Sequence, residues 1–462
     1  MKSILIKRFL QTLVSLILLV FFSFFLSRVL PGDPAKYILT FNNSQVVSSQ
    51  EGRTKSYEHQ YRQMGLHLPY FYFSMESRLL PDSFIHMPDN DFKFLLCSLS
   101  YYSGNPSLSY SIAKEFIAKK KTSDFFSNFQ TKGISFAVDD MLAKNDVSGI
   151  NKNLLVDLSK LKADHNNQYW KRWIPSIRWN AKNQFHLWCF GGKSDGNGLV
   201  SKGIVQGDFG KSWARGGDVF EMMKYPFLLT LFLSVFVLMI TFPLALLMGG
   251  WLTLYQQKWY AKIQKPLLIF TYSIPTFWMG TALLLFFANP RMLDWLPSAS
   301  PVLETNNGFG SWFFSLCSQC EYLIIPLFAL GYSTLIYLSQ LVFELLKDEL
   351  QKPYVMTLRA IGSSERKIIL FYAMKNVLVP VIVSGMSVFP LLLGGSVIID
   401  FLFTMPGMGS LMLQACDQKD FPVISGVLFV SGLVTMLSFA LTDMFASQVN
   451  PLIRYSNSNK NG

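Results

Sequence analysis

The chain has 462 residues, half of them hydrophobic and only 15% charged. That balance excludes an ordinary water-soluble globule and points to a protein that crosses a membrane several times. The net charge of +12 does not require nucleic acid, because basic loops orient membrane proteins, and no nucleic-acid partner is expected.

Six segments lack Lys, Arg, Asp and Glu for roughly 19 residues or more, the length that crosses a bilayer core. The first is Phe9–Ser27. It is too long for a cleaved signal peptide and is followed by no small-x-small site, so residues 1–30 read as a retained transmembrane helix. The mostly polar stretch 31–224 comes next and is long enough to fold as a domain of its own. Within it, Ser107–Lys121 and Asn151–Ala163 read as helices. Tyr169–Phe190 reads as strand and turn, and Gly191–Gly198 as loop. Lys119–Lys121 reads as a solvated helix end. His165 and His186 stand apart from any Cys/His cluster, so solvation or hydrogen bonding accounts for them and no metal site is expected.

The remainder, 225–451, holds Pro226–Met248, Pro266–Ala288, Tyr322–Phe343, Val377–Ile399 and Phe421–Thr442, with a short tail at 452–462. Pro243, Pro275, Pro326, Pro390, Gly394 and Gly395 lie inside these segments, where small residues allow close packing and neighbouring helices satisfy the kinks. Lysines and arginines gather before the first segment, between the second and third, between the fourth and fifth, and after the sixth. This bias puts both termini and the loop 347–376 in the cytoplasm, and 31–224 outside. All five cysteines, Cys97, Cys189, Cys317, Cys320 and Cys416, then lie outside. Cys317-Ser-Gln-Cys320 is a lone pair of cysteines, better read as packing or a structural disulfide than as a redox or metal site. No segment carries an ionisable residue at mid-depth. That argues against a proton relay or an ion-coupled carrier, so any energy for transport comes from elsewhere.

The interruption Lys347–Asn376 is polar and helix-forming, and it cannot lie in hydrocarbon. Tyr354–Arg366 reads as helix, glycine break, polar turn, helix. Thr357 and Arg359 are expected to face water, and Val355, Leu358 and Ala360 a partner. Gly362 would supply the break and a close backbone approach. Ser363 or Ser364 would cap the following helix, with Glu365 in its first turn. A docking surface and a plain amphipathic connector fit these features equally. Gly210-Lys-Ser212 fails as a phosphate loop because Val205 stands where a glycine is required, so no ATP site is expected in this chain.

The interruption closely resembles the cytoplasmic coupling loop of bacterial ABC importer permeases, in the dipeptide/oligopeptide form Y-V-x-T-A-R-A-K-G-x-x-E-R followed by N-x-x-x-P. It matches at Tyr354, Val355, Thr357, Arg359, Ala360, Gly362, Glu365, Arg366, Asn376 and Pro380, and departs at Leu358 and Ile361. Other family motifs follow in order. Pro31-Gly32-Asp33-Pro34 resembles the end of the first span. Gly207-Asp208-Phe-Gly210-Lys-Ser212 resembles the turn before the second, and Ile274-Pro275-Thr-Phe277 the start of the third. Gly394-Gly395-Ser-Val397, Phe403 and Pro406-Gly407-Met-Gly409 resemble the family's G-G-S-V…F-x-x-P-G-x-G, a structural or gate motif, Asp420-Phe-Pro-Val423 resembles D-Y-P-V, and Asn450-Pro451 stands where the family has Asp-Pro. The stretch 74–202 is longer than most members have.

This resemblance implies an all-α integral membrane protein with six transmembrane helices of the ABC importer type I permease fold, plus a large α/β or irregular extracytoplasmic insert between the first two. It implies a permease subunit of the bacterial inner membrane, surrounded by membrane lipid and not itself an enzyme. It implies a peptide substrate, a heterodimeric partnership with a second permease subunit, an extracytoplasmic peptide-binding protein, and two cytosolic ABC ATPase subunits that use ATP and Mg. Tyr354, Thr357, Arg359, Ala360, Gly362, Glu365 and Arg366 would couple to an ATPase. A membrane-anchored sensor and a secondary transporter are the rival classes. One span would suffice for an anchor, and the missing intramembrane charges and the matched coupling loop oppose the carrier.

Overall fold

The computed structural model describes residues 2–30, 32–42, 50–77, 90–103, 106–118, 175–192, 201–297, 301–303 and 308–449. The expected helix Asn151–Ala163, Lys119–Lys121, His165, Pro31 and the Asn450-Pro451 motif lie outside the described residues. The chain divides into two compact units, one formed by Met1–Gly32 with Ala214–Gly462 and the other by Asp33–Trp213.

In the second unit, α2 (Pro34–Asn42) packs on α3 (Gln50–Gln63). Asp33 starts α2: its Oδ1 accepts the Ala35 amide at 3.0 Å, and its Oδ2 accepts the Tyr57 hydroxyl. Strand β1 (Phe73–Ser77) pairs antiparallel with β2 (Pro175–Trp179), Phe73 opposite Trp179 and Met75 opposite Ile177. Between them in sequence, α4 (Asn90–Ser103) and α5 (Pro106–Ala118) meet through fully buried Leu95, Leu96, Leu99, Ile112 and Ala113. The region expected as strand and turn is only half so. After β2, Gln184–Phe190 is a helix, α6, because the Asn183 side chain accepts the His186 amide at 2.7 Å. That cap outweighs the aromatic residues' strand preference. His186 Nδ1 lies 2.7 Å from the Tyr72 hydroxyl, and Tyr72 stacks on Trp179.

The first unit is a helix bundle. Its elements are α1 (Lys2–Val29), α7 (Val219–Leu254), α8 (Trp259–Tyr272), α9 (Thr276–Phe287), α10 (Phe309–Ser318), α11 (Ile324–Glu349), α12 (Pro353–Ala360), α13 (Glu365–Leu402), α14 (Met408–Asp417) and α15 (Phe421–Val449). Helix α13 contains a π-helical turn at Ile368–Ala373. Helix α7 packs chiefly on α11, α13 on α15 and α11, and α1 on α15. Lipid tails are as apolar as leucine, so such helices associate through close contact rather than hydrophobic expulsion. Gly249 shows the contact: a Cβ there would lie 2.6 Å from the Val342 Cβ and 2.7 Å from the Ser339 carbonyl oxygen. One cluster joins Leu233 and Val237 of α7 to Trp312, Leu330, Ile399 and Phe403. A second joins Val342 and Leu346 of α11 to Ile369, Val377 and Val381 of α13.

Four helices are long and apolar enough to cross a membrane, or five if a bent pair counts as one span. In α1 the apolar stretch Leu13–Val29 is shorter. The segment expected as one span at Pro266–Ala288 is that bent pair, α8 and α9, which meet at 100°. The break falls at Ser273–Pro275. Proline disfavours helix at the residue before it and has no amide to donate. The Ile274 carbonyl freed by the break accepts the Tyr332 hydroxyl of α11.

Candidate functional site

The interruption after α11 folds as a short helix held between two long ones. Helix α11 ends when Leu350 and Gln351 close the last turns, and Pro353 occupies the first turn of α12, where its missing amide costs nothing. Helix α12 stops at Gly362, with φ +86°. There the Ser363 amide reaches the Leu358 carbonyl at 3.0 Å and the Gly362 amide the Arg359 carbonyl at 2.9 Å. This double closure satisfies the last carbonyls and calls for a residue without a Cβ. A Cβ at Gly362 would meet nothing within 4 Å. The glycine therefore serves the turn, and the close approach expected there is not made by any of the described residues. Ser364 stands at the start of α13 but its side chain makes no cap bond, while Glu365 lies in the first turn as expected.

One residue that the sequence did not single out organises the site. Glu349, the last residue of α11, is 6% exposed. Its carboxylate accepts Lys352 Nζ at 2.5 Å, the Tyr354 hydroxyl at 3.0 Å and Asn376 Nδ2 at 2.7 Å. These donors come from the linker, from α12 and from α13, so one buried carboxylate ties the short helix to both spans. Bonds to a charged group contribute about 1.5–3 kcal/mol each. Burial and the Glu349 carboxylate push the Tyr354 hydroxyl above its ordinary pKa, so it remains a donor. The signal in the sequence was an acidic residue followed by Lys at i+3 and Tyr at i+5 across a helix end, but it identifies no partner on α13.

Arg359 grips Glu365 across the turn, Nε to Oε1 at 2.7 Å and Nη2 to Oε2 at 3.3 Å. That bond raises the Arg359 pKa. Both side chains are about half exposed, so the pair adds only about 0–1 kcal/mol, and its use is to set the turn's shape. Arg366 donates to the Tyr255 hydroxyl at the end of α7, 3.0 Å away. Thr357 and Ala360 are exposed. The expected partner face is corrected at one position: Val355 is fully buried inside the bundle, because it lies on the side of α12 that Tyr354 anchors. The apolar residues presented outward are Met356, 66% exposed, and Ile361, 75% exposed.

The remaining motif residues lie elsewhere. At the other end of α13, buried Asp400 accepts the Gly409 amide at 2.9 Å and also bonds the Ser410 amide, capping α14 from a different helix. A Cβ on Gly407 would sit 2.3 Å from Asp400 Oδ2, and one on Gly409 2.3 Å from the Val397 Cα. Pro406 is an exposed corner between α13 and α14. Asp400 thus explains the spacing of Gly407 and Gly409, although the sequence marked it only as a charge ending a span. Gly394 departs from the expected close packing: a Cβ there meets nothing within 4 Å, and both it and Gly395 lie within α13. Pro275 caps α9 at the bend. In the first unit, a Cβ on Gly32 would lie 2.8 Å from Lys419 Cε. In the second unit, Gly207 and Gly210 have φ near +80°, and Asp208 accepts the Lys202 and Gly210 amides at 2.7 and 2.8 Å, closing the turn between them. All five cysteines are free, and Cys317 and Cys320 are exposed, so they neither pack nor pair as expected. Among the described residues no group of three or more His, Cys, Asp or Glu is placed to hold a metal ion.

Residues 241–455 match the family profile described as "binding-protein-dependent transport system inner membrane component". The oligopeptide transport system permease protein AppB of Bacillus subtilis (strain 168) is 28% identical over 260 residues, covering 54% of this chain and 78% of that protein. The glutathione transport system permease protein GsiC of Salmonella choleraesuis (strain SC-B67) is 28% identical over 252 residues, covering 54% of this chain and 76% of that protein. The matched region contains the Glu349-centred loop and the Asp400-capped turn. Residues 241–455 are thus similar to binding-protein-dependent transport inner membrane components, and the relatives that match there are peptide and glutathione transport system permease proteins.

Proposed function

We propose that this chain is a transmembrane permease subunit of an ATP-driven peptide importer of the bacterial inner membrane, and that Tyr354–Arg366 docks on a cytosolic ATPase subunit. The observation that carries this reading is the construction of the loop. Glu349 clamps α12 to α11 and α13, while Met356, Ala360 and Ile361 remain exposed at its tip. A clamped helix passes a push at its tip into two long helices, and α13 reaches Asp400 and the α14 turn at its far end. Alternating access then follows from rigid-body motion of packed helices driven by ATPase closure.

In this reading the chain crosses the membrane six times, with α1 as the first span and the α8–α9 pair as the third, and both termini face the cytoplasm. A second permease subunit completes the path, and open space at Gly394 suits close approach of a partner helix. The Asp33–Trp213 unit lies outside, where a peptide-binding protein delivers substrate. The chain hydrolyses no ATP itself. The decisive experiment is Ile361→Asp, which changes an exposed tip residue without touching the Glu349 clamp. ATP-driven peptide uptake by membrane vesicles is expected to fall at least tenfold with the protein still inserted, and normal uptake would overturn the coupling role. A reporter fused near Ile150 tests the topology, and cytoplasmic behaviour there would refute it.

A further inference from the structure

The wall formed by α8, the end of α7 and α11 carries a feature that peptide transport leaves unused. A cavity of about 270 Å³ opens there, with Leu252, Ala261, Pro266, Leu268 and Phe343 as its apolar lining and Lys262, Lys265, Gln256 and Gln340 as its polar edge. Gln340 Nε2 is buried and has no hydrogen-bond partner among the described residues. A buried donor left unbonded costs about 1–3 kcal/mol, so an acceptor at this spot would be strongly favoured. Lys265 Nζ is held 4.5 Å above the Phe343 ring and 3.0 Å from Glu344 Oε1. Lys258 stands at the start of α8. Two lysines, Lys262 and Lys265, therefore line this edge beside one glutamate.

The surroundings fix what kind of acceptor fits. Trp251, Tyr255 and Tyr260 form a ring cluster with centroids 5.4–6.0 Å apart, and Trp259 beside them is 72% exposed. Such aromatic clusters mark the headgroup level of a bilayer. Further along α8, Ile263, Leu267 and Phe270 point outward, with exposures of 57–68%. A soluble anion would satisfy the lysines and Gln340 but leave the apolar walls wet. A phospholipid satisfies both, with its phosphate at the polar edge and an acyl chain against Leu252 and Phe343.

We infer that this cavity is a binding site for a phospholipid with an anionic headgroup, its phosphate accepting from Gln340 Nε2, Lys262 and Lys265. Basic pockets between transmembrane helices suit such headgroups. The site rests on membrane embedding alone, so loss of the coupling assignment would leave it standing.

The test is native mass spectrometry of the full-length chain in detergent, offered phosphatidylglycerol and phosphatidylcholine with identical acyl chains. The chain should retain phosphatidylglycerol preferentially. Lys262→Gln and Lys265→Gln should each reduce that preference about fivefold, the worth of one lysine near a charged headgroup. Gln340→Leu, which removes the buried unbonded donor and spares the fold, should lower retention of both lipids, and Ala261→Leu, which fills the cavity, should do the same. Lys224→Gln, at the opposite end of α7, should change nothing. Equal retention of the two lipids by the unaltered chain, or unchanged preference in the lysine variants, would overturn the site. Displacement of phosphatidylglycerol by millimolar inorganic phosphate would also overturn it, reducing it to a simple anion site.

Discussion

Replacing Gly409 by alanine tests the Asp400-capped turn, and the structure sets the size of the effect. The new Cβ would lie 2.3 Å from the Val397 Cα and 2.9 Å from Asp400 Oδ2. The first of these is backbone in a packed helix and cannot swing aside. Overpacking of this kind costs about 1–3 kcal/mol. Pushing α14 away also weakens the Gly409 amide bond to the carboxylate, about 1.5–3 kcal/mol. Alanine regains about 1 kcal/mol of helix propensity. The net loss is about 1.5–5 kcal/mol, which raises local opening of α14 by roughly 10- to 5,000-fold. Hydrogen exchange of the Leu411–Ala415 amides in the detergent-solubilised chain reads this directly. Gly394→Ala is the matched control, because its Cβ enters open space and it should be neutral or slightly stabilising in the isolated chain. Exchange in Gly409→Ala equal to that of the unaltered chain, or equal effects at the two glycines, would refute the reasoning.

Glu349→Gln removes the charge from a carboxylate with three donors. It should loosen α12 by about 2–4 kcal/mol, seen as faster proteolysis between Lys352 and Lys367; resistance equal to the original would mean the clamp is not holding the loop. Cys189 is buried and its thiol is pushed up to about 12 by burial, whereas Cys317 and Cys320 are exposed. A maleimide at neutral pH should therefore label the latter pair in the folded chain and spare Cys189, and mass spectrometry of the digested protein checks this. Tyr61 is pushed up to about 12, first by burial and then by Tyr70 and Asp33. An unfolded tyrosine ionises near about 10, so the raised folded value stabilises the fold below that pH and the contribution is lost as pH climbs toward 12. Tyrosinate absorbance should show a late-titrating fraction, to which Tyr61 and the likewise raised Tyr57 contribute, whose ionisation accompanies loss of tertiary structure in the Asp33–Trp213 unit.

Much of the site was legible because its signals are local. Gly362 reads as a break from its residue type, and the structure puts it at φ +86°. The Arg359 and Glu365 pair lies within one turn of chain. Glu349 and Asp400 were not legible, since their partners lie 27 residues away at Asn376 and nine residues away across a reversal at Gly409. Val355 illustrates the same limit: apolar and next to exposed residues, it turns inward because Tyr354 anchors that side of α12 to Glu349.

The sequence by itself determined where apolar segments run and where charge interrupts them. Length and charge are properties of a single segment, and a bilayer tests each segment separately. It also determined the turns that need glycine, which depend on a few neighbouring dihedrals. Only the tertiary structure decided that Pro266–Ala288 bends by 100° with the Tyr332 hydroxyl donating to the freed carbonyl, and that Gly407 and Gly409 are required by Asp400 and Val397 while Gly394 stands open among the described residues. Those outcomes depend on which helix lies opposite, and close packing between helices is a pairwise property that no single segment encodes.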